Sequence, residues 1–88
     1  MKWTVIYRPS AQDELANIWL NAADPQAVAD AADEIDRVLS RDPLNSGESR
    51  GGSTRMIVER PLTVLFDVNP DDVLVTVFAV FYWRRRKQ

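Results

Sequence analysis

The patterning predicts an α+β fold in the order β-α-α-β-β-β. A helical hairpin packs on one face of a mostly antiparallel four-stranded sheet. Three observations predict it. Lys2 to Tyr7 alternates in the way of a strand. Two helix-length amphipathic runs follow, separated only by AADP. After Ser53 come three strand-length runs rich in valine, leucine and phenylalanine.

In the first strand, Trp3, Val5 and Tyr7 share one face, and Pro9 ends the run by removing a ladder donor. Ser10 reads as the cap of the first helix, with Asp13 and Glu14 at its positive dipole end. Ala11, Leu15, Ile18, Trp19 and Ala22 follow helical spacing, and Trp3 and Trp19 read as packing residues. Asp24 caps the second helix, with Pro25 at the first position, where a missing N–H costs nothing. Val28, Ala31, Ala32, Ile35, Val38 and Leu39 form its apolar stripe. Residues 41–53 read as a long loop broken by Pro43, Gly47, Gly51 and Gly52. Strands are expected from Thr54 to Arg60, Leu62 to Val68 and Val73 to about Phe81. Pro61 separates the first two, and Asn69-Pro70-Asp71-Asp72 turns the chain into the last.

Residues 1–88 have room for one domain and no second core. At 45% hydrophobic and 27% charged, the composition suits a folded soluble protein. There is no cysteine, which excludes disulfides and thiolate metal sites and makes a reducing cytoplasm the default location. There is no histidine, so the commonest zinc ligand and the usual neutral-pH proton carrier are missing. No metal, cofactor or membrane span is expected, since no run is long and apolar enough to cross a bilayer.

The net charge of −2 hides an asymmetry. Residues 1–48 carry four basic and nine acidic groups, whereas residues 49–88 carry seven basic and four acidic. The basic half suits a phosphate backbone or an acidic protein partner, and the acidic half reads as a solvated helix face. The last strand is apolar on both faces. One helical hairpin covers one face of a sheet, so the other exposes Phe78, Val80 and their neighbours to a partner or to the chain's own tail.

Seven pieces in this order resemble the RelE/ParE superfamily of bacterial type II toxin–antitoxin toxins. VIYRPSAQDELANIW is similar to that family's first strand and its S-x-x-A-x-x-D/E-L helix start. Asp24-Pro25 and the alanine-rich second helix fit, as does Pro43 to Gly47, a P-x-x-G loop with one extra residue. Gly52-Ser53-Thr54-Arg55 resembles G-x-x-R, PLTVLFDV resembles the third strand, and VFAVFYWRRR resembles the closing V-x-x-V-x-H-x-x-R. The resemblance covers essentially the whole chain. Tyr82 stands where the family has histidine, Leu62 where it has an aromatic after the proline, and the loop lacks a lysine pair. The IW of the first helix and the ERPLTVLF run look more like the ParE branch, whose members inhibit DNA gyrase.

The resemblance implies a cognate antitoxin as partner and either gyrase or ribosome-bound mRNA as target. Three functions stay open: a ParE-like gyrase inhibitor, a RelE-like ribosome-dependent mRNA endonuclease, and a non-toxic relative that only binds antitoxin. As an enzyme it would be a metal-independent endoribonuclease. That chemistry must deprotonate a 2′-OH, stabilise the phosphorane charge and protonate the leaving oxygen. Arg55 and Arg50 are the candidates for phosphate, and Tyr82 for acid or base, with Lys87 and Glu59 behind it. Arg84, Arg85 and Arg86 are candidates for phosphate or target binding, and Phe78, Val80 and Trp83 for antitoxin binding. Each has a structural alternative: Arg55 as a cross-strand partner, Tyr82 as a packing aromatic, the triple arginine as a solvated tail.

Overall fold

The structure, a computed structural model, describes residues 2–83. Its order is β1 (Thr4–Tyr7), α1 (Pro9–Asn21), α2 (Pro25–Arg41), a 3-10 turn (Pro43–Asn45), β2 (Glu48–Gly51), β3 (Thr54–Glu59), β4 (Leu62–Asn69) and β5 (Leu74–Tyr82). The sheet has five strands in the order β1-β5-β4-β3-β2. β1 runs parallel to β5, and the other three pairings are antiparallel. The expected α+β layout is present with one strand more than anticipated. β2 lies inside the segment read as loop; all four of its residues are exposed, so no apolar alternation marks it.

The helix starts have separate causes. Asp24 caps α2 by accepting from the Ala27 N–H at 3.2 Å, with Pro25 at the first helical position. α1 begins two residues earlier than expected, with Arg8 at the cap and Pro9 as its first residue. Proline's fixed φ opens the turn there without any side-chain cap, so Ser10 falls inside the helix.

Both helices lie on one face of the sheet. Ala11 from α1 and Val28, Ala31, Ile35 and Leu39 from α2 meet Ile57, Leu62, Val64, Phe66, Val68, Val75, Val77 and Val80 from β3 to β5 in one buried cluster. Residues 62, 64, 66 and 68 are buried while their neighbours on β4 are half-buried or exposed, the period-two signature of a sheet with one covered face.

A bulge sets which side chains of β5 point inward. Phe66 pairs with Val77 and Leu65 with Ala79, which leaves Phe78 as the extra residue. One inserted residue inverts every later position. Val75 and Val77 face the helices, and past the bulge Val80 and Tyr82 do so, while Ala79 and Phe81 turn to the open face. Glu14 of α1 meets the bulged strand, its Oε1 accepting the Val80 N–H at 3.0 Å.

Candidate interaction face

The face of the sheet away from the helices is apolar and hydroxyl-rich. Cross-strand register places Ile6 of β1, Thr76 and Phe81 of β5, Thr63 and Leu65 of β4, and Met56 and Val58 of β3 there. Ile6, Val58 and Phe81 are each about half exposed, which is unusual for such side chains in a covered sheet. Cations are scarce on it among the described residues. Among the described residues of the five strands, Arg50 and Arg55 are the cations, and only Arg50 lies on this face. Its guanidinium sits on the Met56 sulfur at 3.3 Å and 3.8 Å from a Glu48 carboxylate oxygen. Asp67 on the same face accepts from the Thr54 hydroxyl at 2.7 Å.

Arg55 is directed to the other side. It pairs with Phe66 and so shares the helix-side face of β3. Its Nε donates to the Ser46 carbonyl at 2.9 Å and a terminal nitrogen donates to the Gly47 carbonyl at 3.1 Å. The guanidinium fork thereby holds the segment that enters β2. Gly47 permits the close approach: its φ is +67°, and a Cβ there would lie 2.1 Å from the Met56 carbonyl oxygen.

Tyr82 lies on the helix side past the bulge, beside Asn17, Ile18 and Asn21 of α1. It pairs with Leu62, four residues along β4 from the Phe66 that pairs with Arg55. Standard strand spacings put the two about 16 Å apart. Arg55, Tyr82 and Arg50 are therefore not one constellation: two occupy distant points of the covered face and the third lies on the open one. Glu59, at the end of β3, is opposite Leu62 on the covered face.

The three residues expected to bind antitoxin also separate. Phe78 is the half-buried bulge residue. Trp83 is 48% exposed, follows directly on β5 and has the Arg60 guanidinium 4.3 Å over its ring. Val80 is corrected: at 3% exposure it belongs to the core under α1, because the bulge swaps it inward and brings Phe81 out in its place. The described arginines of the second half lie apart as well. Arg50 is on the open face, Arg55 is in the Ser46–Gly47 contact, and Arg60 is in the turn with Trp83. Arg84, Arg85, Arg86 and Lys87 lie outside the described residues.

Two features were not read from the sequence. Trp19, whose helical spacing implies packing, is 47% exposed, and Leu20 beside it is 69% exposed. The signal was there in three consecutive apolar residues, Ile18-Trp19-Leu20, which no single helix face can bury. At the other end of the hairpin, the Tyr7 hydroxyl donates to Asp36 Oδ1 at 2.9 Å. Burial raises the Tyr7 pKa above tyrosine's ordinary value, and the neighbouring Asp36 charge and hydrogen bond add to the rise. Burial also raises the Asp36 carboxyl; the Tyr7 hydrogen bond opposes this and the Asp33 charge adds to it.

No protein-family model and no curated protein matches this sequence. Solved structures do. The chain is similar to one in the RelBE2 toxin–antitoxin complex from Mycobacterium tuberculosis, with TM-score 0.77 and 19% identity over 93% of this chain and 92% of that one. The isolated E. coli RelE toxin aligns with TM-score 0.70 and 16% identity over 97% and 88%. A chain of the chromosomal ParDE system from P. aeruginosa aligns with TM-score 0.69 and 15% identity over 94% and 98%. The fold is that of the RelE and ParE toxins, as the sequence resemblance implied.

Proposed function

We propose that this chain is the toxin of a type II toxin–antitoxin pair and that it acts by gripping a protein target, in the manner implied for the ParE branch. The open sheet face carries the proposal. It offers half-exposed Ile6, Val58 and Phe81 among threonines, with Arg50 as its cation among the described strand residues. An RNA-cleaving face needs several cations converging on one phosphate. An apolar patch rimmed by hydroxyls suits protein contact. The separation of Arg55 from Tyr82, and the use of Arg55 on backbone carbonyls, support the same reading.

The antitoxin would cover part of this face in the resting cell, with Phe78 and Trp83 at its edge and Phe81 as the better-placed anchor. Several of the solved relatives are complexes with antitoxins, which supports such a partner here. The terminal arginines Arg84, Arg85 and Arg86 would add steering charge toward an acidic partner. Cytoplasmic action follows from this reading, and among the described residues no helix is long and apolar enough to cross a membrane.

Induction of the chain alone in bacterial cells, with primer extension on translating transcripts, tests the proposal. The expected result is growth arrest with intact messages. Cleavage at codon boundaries, lost in Arg50→Ala, would replace this reading with the endonuclease. Unimpaired growth would leave only an antitoxin-binding relative.

A further inference from the structure

α1 carries a carboxylate on the side it turns to the sheet. Ala11, Leu15, Ile18 and Ala22 recur at helical spacing, and all four are buried or packed against the core. Glu14 stands three residues after Ala11 and four before Ile18, inside the same stripe. A charge in an apolar stripe must be met by a polar partner. Here the partner is the Val80 N–H of β5, 3.0 Å from Oε1.

Two features of the sheet bring that N–H to α1. β1 stops at Tyr7, opposite Val77, and the Arg8 N–H closes that edge by donating to the Val77 carbonyl at 2.9 Å. Past Val77, β5 has β4 on one side and α1 on the other. The bulge is the second feature. It leaves Phe78 between the pairs Phe66–Val77 and Leu65–Ala79.

Apolar burial does not choose between this bulged strand and a straight one. Without the bulge, alternation from Val77 would send Ala79 and Phe81 inward and Phe78, Val80 and Tyr82 outward. Either set offers the helices apolar bodies. The polar contact does choose. A carboxylate accepting a backbone N–H makes one of the stronger hydrogen bonds of a half-buried site. Glu14 makes it in the register that buries the Val80 side chain and leaves Phe81 half exposed.

We propose that Glu14 is a positioning residue: it selects the bulged register of β5 and thereby presents Phe81, instead of Val80, to the partner protein. The presentation of Phe81 rests on the reading of the open sheet face as the gripping surface, whereas the choice of register does not.

The test compares Glu14→Met, which keeps the length of the side chain without an acceptor, with Glu14→Gln, which keeps an oxygen in the same place. Register is read in the full chain from proton Overhauser contacts between β4 and β5. Function is read from the amount of chain that halves supercoiling by purified DNA gyrase. The parent and Glu14→Gln should both show Val64 opposite Val80. Glu14→Met should show Val64 opposite Ala79 and faster exchange of the Val80 amide. Its inhibition should be at least about tenfold weaker at a temperature where circular dichroism finds it folded. In a chain that lacks Phe78 the straight register already places Val64 opposite Val80, so Glu14→Met should leave that contact in place. A full-length Glu14→Met chain that keeps Val64 opposite Val80, or a Glu14→Gln chain that loses it, overturns the proposal. So does a shifted register with undiminished inhibition. If Glu14→Met does not fold, removal of Phe78 should restore folding. A chain that stays unfolded overturns the proposal too, because the glutamate then serves only to satisfy an amide. A parent chain without effect on gyrase counts against the toxin reading, and the Overhauser comparison still decides the role of Glu14.

Discussion

Replacing Arg55 with methionine keeps a long apolar stem and removes both donors that reach Ser46 and Gly47. The two bonds, 2.9 and 3.1 Å long, join a charged donor to backbone carbonyls. Hydrogen bonds to charged groups contribute about 1.5–3 kcal/mol each when well buried. Arg55 is half-buried and Gly47 is exposed, so water replaces part of what is lost. We expect a combined loss of about 1–2 kcal/mol, or about 5–15 °C in melting temperature for a domain of this size. Thermal unfolding followed by circular dichroism reads the first effect. Hydrogen exchange reads the second, which is faster exchange confined to residues 46–49 and the facing part of β3. Growth arrest should survive at temperatures where the variant is folded. An unchanged melting temperature together with abolished toxicity would refute the structural assignment and return Arg55 to catalysis.

Other substitutions probe the same frame. Gly47→Ala forces φ +67° on a residue with a side chain and drives its Cβ to 2.1 Å from the Met56 carbonyl, so a loss of about 3 kcal/mol or more is expected in urea unfolding. Val80→Ala should cost about 2 kcal/mol, because Val80 is core, yet leave partner affinity unchanged. Phe81→Asp should do the opposite, with little change in stability and at least about a tenfold loss of antitoxin binding by calorimetry. The Tyr7 pKa is raised in the fold, so above about pH 10 the unfolded chain loses this proton before the folded one does. Stability should therefore fall as pH rises through that region, and the fall should be shallower in Tyr7→Phe. Asp36 has the same sign at the acid end: its raised pKa favours the folded state as pH drops toward the ordinary carboxylate value, so Asp36→Asn should not destabilise the protein at neutral pH.

The sequence made the element order legible because each element rests on local chemistry. Asp24-Pro25 starts α2 by a cap and a fixed φ, and the valine-rich runs alternate wherever one face is covered. What could not be read depends on contacts between distant residues. β2 has four exposed residues and is a strand only because β3 lies beside it. The bulge at Phe78 was hidden because β5 is apolar on both faces, so either register satisfies its pattern. That one residue decides whether Val80 or Phe81 meets a partner. Arg55 was visible as a residue of interest, but its partners are carbonyls, which carry no side-chain signature.

The most direct test of the proposed protein-gripping action through the apolar sheet face is a supercoiling assay with purified DNA gyrase and increasing amounts of this chain. The account predicts that supercoiling stops and cleaved DNA accumulates, and that Phe81→Asp loses both effects. Complete supercoiling at saturating chain, with no cleaved DNA, would contradict it.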